Sequence, residues 1–166
     1  MKHTLYIITT LLCMAMPSKA QEGLHVNEIF EGDIVKKTYM VDNLIKGEQL
    51  KPYKLTFFRS LKFKASEEER AKIEKMVSED IKNSLDLELE RQGGKNSDKQ
   101  ASPLSPPFHY VMMTLPPDGK FDPNSPNRWY LCYQCSSYKK HEYAITLVFM
   151  KGHATVKELR KMFKKN

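Results

Sequence analysis

The chain has 166 residues, of which 40% are hydrophobic, and a formal net charge of +7 at pH 7. This length and composition suit one domain with a substantial core. The basic excess is compatible with an acidic partner, such as an acidic glycan or a lipid headgroup, and equally with a well-solvated lysine-rich surface. No basic stripe is interleaved with stacking aromatic residues, so we expect no nucleic-acid partner.

Residues 1–20 have the pattern of a secretory signal peptide. The apolar run Leu5–Met16 is too short to span a bilayer, and Ser18–Ala20 places small residues at the −3 and −1 positions of a cleavage site. We therefore expect export to the periplasm or cell surface, with cleavage near Ala20–Gln21. A single α+β domain over residues 21–166 should remain, with no transmembrane segment.

The next elements are short. The segment from Gly23 to Gly32 fits either a strand or one helical turn. The pattern predicts a strand over Ile34–Val41, and the pairs Asp42-Asn43 and Lys46-Gly47 are typical of turns.

A clear period-two pattern predicts a half-buried antiparallel strand over Tyr53–Ala65. Its apolar face would carry Tyr53, Leu55, Phe57, Leu61, Phe63 and Ala65, and its polar face Lys54, Thr56, Ser60, Lys62 and Lys64. Arg59 falls on the apolar face, where an unpaired charge is costly. We expect a bulge or a strand end at Arg59-Ser60; the alternative is that Arg59 binds a carboxylate or a carbonyl.

Ser66 begins a long acidic helix. Ser66 and Glu69 have the spacing of a capping box, and Gly93-Gly94 would end the helix. One apolar stripe is predicted to face the core: Ile73, Met76, Val77, Ile81 and Leu85. Asp80 lies at the edge of this stripe, and we expect it to pair with a lysine or an arginine such as Arg59.

Three further strands are predicted in the second half of the chain: Phe108–Leu115, Trp129–Cys135 and Tyr143–Met150. The loops around them would be Lys95–Pro107, Pro116–Arg128 and Ser136–Glu142. The run Tyr143–Met150 is almost entirely apolar, which favours a central strand buried on both faces.

A helix should follow this central strand. Thr155 and Glu158 form a second capping box, and an apolar stripe follows: Val156, Leu159, Met162 and Phe163. The sequence therefore predicts an α+β domain, with an antiparallel sheet of about four or five strands. The long acidic helix and the C-terminal helix are expected on one face of that sheet.

Cys132 and Cys135 form the one motif-like cysteine pair. In an exported protein a CxxC pair can be a redox dithiol, a structural disulfide or half of a zinc site. Because residues i and i+3 of a straight strand point to opposite faces, either the strand ends before Cys135 and the pair closes in a turn, or both thiols fill the core. Cys13 follows Leu12, where lipoprotein signals carry a small residue, which disfavours lipidation.

Metal and hydrolase signatures are weak or missing. Zinc would need more ligands, for which the candidates are His109, His141 and His153, but no second CxxC and no HxxxH is present. Asp118, Asp122 and Asn124 lack the spacing of a calcium loop and fit ordinary turns. GxSxG, HExxH and a glycine-rich phosphate loop are also missing. We expect no catalytic residues, metal or cofactor.

Several segments together resemble a family pattern: Lys46–Leu50, Tyr53–Leu61, Val77–Asp80, Leu147–Gly152, Ala154-Thr155 and Leu159. They are similar to small secreted proteins of the Bacteroides type, which are classed as domains of unknown function. The resemblance covers most of the chain after residue 20. It implies export, supplies no activity and transfers no catalytic residue.

The sequence thus favours a non-enzymatic exported module that binds or scaffolds, with another envelope protein or an acidic polymer as partner. Its partner would lie on the uncovered sheet face or on the loops Lys95–Pro107 and Pro116–Arg128. One alternative is a thiol-based redox enzyme that uses Cys132 and Cys135. Another alternative is a protein that binds polyanions or the envelope surface.

Overall fold

The structure is a computed structural model, which describes residues 23–91, 106–115 and 127–163. Within these ranges five strands form one sheet: β1 Met40–Lys46, β2 Leu55–Ser66, β3 Tyr110–Leu115, β4 Arg128–Lys139 and β5 Glu142–Gly152. The helices of the same ranges are α1 Asn27–Glu31, α2 Glu67–Arg91 and α3 Val156–Phe163, with 3₁₀ turns at Lys37–Tyr39 and Glu48–Tyr53.

Strand β5 lies at the centre of the sheet. The strand order is β1-β2-β5-β4-β3, and every neighbouring pair is antiparallel. Leu147 and Phe149 enter one core, whereas Val148 and Met150 enter a second core on the other side of the sheet. The predicted α+β class, the antiparallel sheet and the central, doubly buried strand are confirmed.

Helices α1 and α2 cover what we term the first face of the sheet. The stripe of α2 enters the larger core through Ile73, Val77 and Ile81, while Leu85 stays exposed. The predicted capping box is present, because Ser66 Oγ accepts from the Glu69 N–H at 3.2 Å and Glu69 Oε2 accepts from the Ser66 N–H at 2.8 Å. The predicted helix stop at Gly93-Gly94 lies outside the described residues.

Helix α3 packs on the opposite side, which we term the second face. Our prediction that both helices share one face was wrong. Leu159 contacts a smaller core that includes Leu55, Tyr130 and Met150. The physical reason lies in β5, whose alternate residues are apolar on both sides, so each face needs its own cover.

Two contacts direct the chain from β5 to the second face. The Tyr130 hydroxyl donates to the carbonyl of Ala154, just before α3. Gly152 lies against the backbone of β2, where a Cβ would meet the carbonyl oxygen of Lys54, so this close approach requires glycine. Together they fix the start of α3 against β2 and β4.

The first strand begins later than predicted. Residues 37–39 form a 3₁₀ turn, and β1 runs through Asp42 and Asn43, which we expected to make a turn. Because β1 is an edge strand with mostly exposed residues, its polar side chains stay in water and the apolar pattern of a buried strand is missing. The strand over Ile34–Val41 was therefore misplaced.

The β4–β5 connection is also tighter than predicted. Both strands extend through most of the expected loop Ser136–Glu142, and Lys139 pairs with Glu142. His141 takes the positive φ of 59° that the tight turn requires.

Arg59 does not mark a bulge. The β2–β5 register is continuous from Phe57 onward and shifts instead between Leu55 and Phe57. The alternative holds, because the Arg59 guanidinium donates to the Asp42 carboxylate at 2.8 Å and to the Phe30 carbonyl at 3.1 Å. Arg59 thereby connects the edge strand β1 to α1.

The expected Arg59–Asp80 pair does not form. Asp80 is buried and accepts from the backbone N–H groups of His25 and Val26, at 2.8 and 3.0 Å. Burial raises the pKa of Asp80, and the two backbone hydrogen bonds act against that rise. Asp80 therefore connects α2 to the segment that leads into α1.

The carboxyl group of Glu158 stabilises the start of α3 in its ionised form. It accepts from Lys54 Nζ at 2.6 Å and from the Thr155 N–H at 2.7 Å, and these bonds lower its pKa from 4.5 to about 2. A folded-state pKa below the unfolded value contributes stability above the unfolded pKa, and this contribution is lost as the pH falls toward the folded one.

We predict that Glu158→Gln lowers the melting temperature at pH 7, and that its difference from the wild type closes between about pH 4.5 and pH 2. Melting curves recorded across this range measure the effect. Glu48→Gln is the control, since Glu48 is an exposed carboxyl outside the capping boxes. A difference that persists at pH 2 would contradict the assignment.

Candidate functional site

Among the residues that the structure describes, only part of the second face of the sheet is covered. Helix α3 and the 3₁₀ turn Glu48–Tyr53 pack over one end, where Leu50, Leu55 and Leu159 are buried. Beyond α3 the face opens into a groove of about 1000 Å³. We call this the second-face groove.

The floor of the groove consists of side chains from neighbouring strands that the register places side by side. Ser60, Val148 and Cys132 form one row across β2, β5 and β4. The next row, farther from the α3-covered end of the sheet, is more polar. It contains Lys62, Thr146, Gln134 and Tyr110.

Strand β1 and helix α3 supply the remaining lining. Asn43 and Ile45 lie opposite Ser60 and Phe58 on the β1 side, and Arg160 of α3 lines the groove from above the sheet. The groove therefore combines hydroxyl, amide, aromatic, aliphatic and cationic side chains on a rigid floor, a mixture typical of ligand sites.

The charges that line the groove are not balanced. Among the described residues, Asp42 is the single acidic residue of the lining. It pairs with Leu61 of the first-face core, and on that side Arg59 binds its carboxylate at 2.8 Å. Lys62 and Arg160 are exposed, and neither forms an ion pair with a carboxylate of the described ranges. The groove is therefore electropositive.

Tyr110 and Cys132 lie together at the β3 end. The Tyr110 hydroxyl donates to Met112 Sδ at 3.6 Å, and the residue remains 46% exposed. Partial burial raises the pKa of Tyr110, the neighbouring Cys132 adds to the rise, and the positive charge of Arg160 opposes it. Tyr110 is thus protonated at neutral pH and presents a neutral phenol to the groove.

The two thiols of the CxxC pair enter different cores. Cys132 packs in the second-face core and Cys135 in the first-face core; both are free and buried. Strand β4 continues past Cys135, so the pair does not close in a turn. Both thiols fill the core, which is the second of our two alternatives. Burial raises the pKa of the Cys132 thiol to about 11.

Most of the other residues we singled out do not converge. Asp80 and Trp129 lie on the first-face side, away from the groove. Arg59 also lies on the first-face side, beside Phe30, and touches the groove lining only through Asp42, whose carboxylate it binds. Of the histidines, His141 lies in the β4–β5 turn beside Glu67, at 3.1 Å. Across the described ranges, no group of three or more His, Cys, Asp or Glu side chains is arranged to hold a metal ion. The calcium candidates Asp118, Asp122 and Asn124 lie outside those ranges.

The side chains that line the groove were not recognised individually from the sequence. The polar face of the Tyr53–Ala65 pattern did contain Ser60 and Lys62, but a polar strand face normally indicates solvent. Arg160, Gln134 and Tyr110 had no local signal, since only the strand register and the position of α3 bring them together.

A family model described as a family of unknown function (DUF6108) matches residues 13–163. The chain belongs to this family. The resemblance to a domain of unknown function is thereby confirmed at this level, while Bacteroides origin and secretion stay predictions. No curated protein and no solved structure matches the chain. The described part of this family member has no helix with the length and apolar character needed to cross a membrane.

The thiol hypothesis has a direct test. A rise in the thiol pKa from 9.0 to about 11 leaves about 100-fold less thiolate at pH 8, and burial further limits access to Cys132. In a chain carrying Cys13→Ser, we predict slow reaction of Cys132 and Cys135 with a disulfide reagent in the fold and immediate reaction in denaturant. A fast, stoichiometric reaction in the folded protein would instead favour the redox alternative.

Proposed function

We propose that the protein is a non-enzymatic, exported binding module and that the second-face groove is its binding site. The observation that carries the proposal is that the described segments leave part of a sheet face uncovered, although the central strand of that sheet is otherwise buried on both sides. A folded domain normally buries such a face, and a well-formed concavity with a few convergent polar groups is the usual form of a ligand site.

Two features of the groove support binding over catalysis. The one acidic residue of its described lining, Asp42, is held by Arg59, so no free acid–base pair lines it within the described residues. The thiol in that described lining, Cys132, has a raised pKa, whereas a nucleophilic cysteine needs a lowered one.

The position of the polar groups also supports binding. Lys62, Thr146 and Gln134 stand on adjacent strands of a hydrogen-bonded sheet, so their spacing is fixed before a ligand arrives. Such preorganisation lowers the entropic cost of binding. The signal-peptide pattern of residues 1–20 supports export to the periplasm or cell surface, where an acidic polymer or another envelope protein is the partner we expect.

Thr146→Trp tests the groove as a site. Thr146 lies on the central strand at the middle of the polar row, so an indole there fills the groove without entering the first-face core. Asn83→Trp, on the exposed side of α2, is the matched control.

The measurement is amide chemical-shift mapping with a defined panel: oligogalacturonate, heparin-derived hexasaccharide, maltohexaose, hexaglutamate and phosphatidylglycerol vesicles. We expect at least one panel member to shift amides of the groove in the wild type and in Asn83→Trp but not in Thr146→Trp, and mass spectrometry to recover that member unchanged. Shifts confined to other surfaces, no shifts with the whole panel, or a chemically altered panel member would contradict the proposal.

A further inference from the structure

We infer that the second-face groove binds an acidic oligosaccharide, a sugar chain that carries carboxylate or sulfate groups. This inference rests on the proposed function and names the ligand class of the same groove. Three independent properties of the lining lead to it: the sign of the charge, the kind of neutral polar groups and the shape.

The charge of the lining selects an anion. Lys62 lies on the floor and Arg160 on α3, and both are without a carboxylate partner among the residues that the structure describes. The neighbouring basic residue Lys54 shows the contrast, since it binds Glu158 at 2.6 Å. Two unpaired cations facing one concavity raise the local concentration of anionic groups there, and an arginine can bind a carboxylate or sulfate through two parallel hydrogen bonds.

The neutral polar groups select a ligand rich in hydroxyl groups. Ser60 and Thr146 supply hydroxyls, and Gln134 supplies an amide that both donates and accepts. A simple inorganic anion needs donors only, whereas sugar hydroxyls need donors and acceptors side by side.

An aromatic ring accompanies these groups. Tyr110 is 46% exposed at the β3 end of the polar row, with its phenol protonated at neutral pH. An exposed ring can pack against the C–H face of a pyranose while its hydroxyl donates to a polar neighbour. This combination of an aromatic surface with amide and hydroxyl groups fits a sugar ring.

The volume of the groove and the direction of its polar row favour an oligomer as the ligand. A volume of about 1000 Å³ lies at the upper end of ordinary ligand pockets, which span roughly 300–1,000 Å³. The polar row crosses β2, β5, β4 and β3, so a chain of several sugars can lie across the strands. On the floor Val148 is buried and Phe58 is half-buried, whereas insertion into a lipid surface requires exposed apolar side chains.

The test compares charge-matched double variants of the full chain. Lys62→Gln with Arg160→Gln removes both groove cations, and Lys75→Gln with Lys82→Gln removes two exposed cations of α2, beyond the other side of the sheet. Isothermal titration at physiological ionic strength uses oligogalacturonate, heparin-derived hexasaccharide and uncharged maltohexaose as probes. Amide spectra confirm that both variants fold.

We expect at least one acidic saccharide to bind the wild type with groove amides shifted, and maltohexaose not to bind. Loss of the two groove cations should weaken binding by about tenfold or more, since charge-assisted hydrogen bonds contribute most strongly. The α2 control should stay within about twofold of the wild type, because general electrostatic attraction is screened at this ionic strength.

Failure of this inference is distinguishable from failure of the proposed function. If hexaglutamate, phosphatidylglycerol vesicles or maltohexaose shifts the groove amides and the acidic saccharides do not, the groove remains a binding site and the saccharide assignment is overturned. Equal weakening by both double variants would overturn the assignment of Lys62 and Arg160. If no panel member shifts the groove amides, both the inference and the proposed function are overturned.

Discussion

The burial of β5 on both faces is the constraint on which the rest of the structure depends. Leu147 and Phe149 enter the first-face core, and Val148 and Met150 enter the second. Buried apolar area stabilises a fold at roughly 25 cal/mol per Å², so neither face of this strand can be left fully in water. Each face must therefore be covered by its own helix. The long helix α2 packs on the first face, and the short helix α3 packs on the second.

Helix α2 covers more of the first face than helix α3 covers of the second, and the groove lies where α3 leaves the second face open. Helix α2 reaches far along the first face, and its buried polar residues connect it to other segments: Glu74 accepts from the Phe108 N–H and the Tyr133 hydroxyl, and Ser84 donates to the Thr114 carbonyl. Helix α3 spans only Val156–Phe163 and covers one end of the second face. Among the described residues, it leaves uncovered a sheet surface with mixed polar groups and two cations that have no carboxylate partner there, on strands that the first-face core already holds in place.

The elements that could be predicted from the sequence are those with a local physical cause. The doubly apolar run of β5, the alternation of β2 and the two capping boxes each depend on residues close in sequence. The placement of α3 could not be predicted, because the pattern of β5 is apolar on both sides and does not say which face each helix covers. The edge strand β1 lacked the apolar pattern of a buried strand. The hydrogen-bond partners of Arg59, Asp42 and Phe30, could not be predicted, because only the fold brings them near it. A partner on the uncovered sheet face was expected, but the lining residues were missed for the same reason, since Lys62, Tyr110 and Arg160 meet only through the strand register and the docking of α3.

Amide hydrogen exchange measured residue by residue tests the central claim most directly. The slowest-exchanging amides of a domain open only on global unfolding, and they belong to its most completely buried elements. We predict that amides of Ile145–Met150 in β5 exchange most slowly, at the rate set by global unfolding, and that those of the edge strand β1 exchange much faster. Exchange of β5 at the rate of β1 would show that β5 is not held between two cores, and would contradict the account of both the fold and the groove.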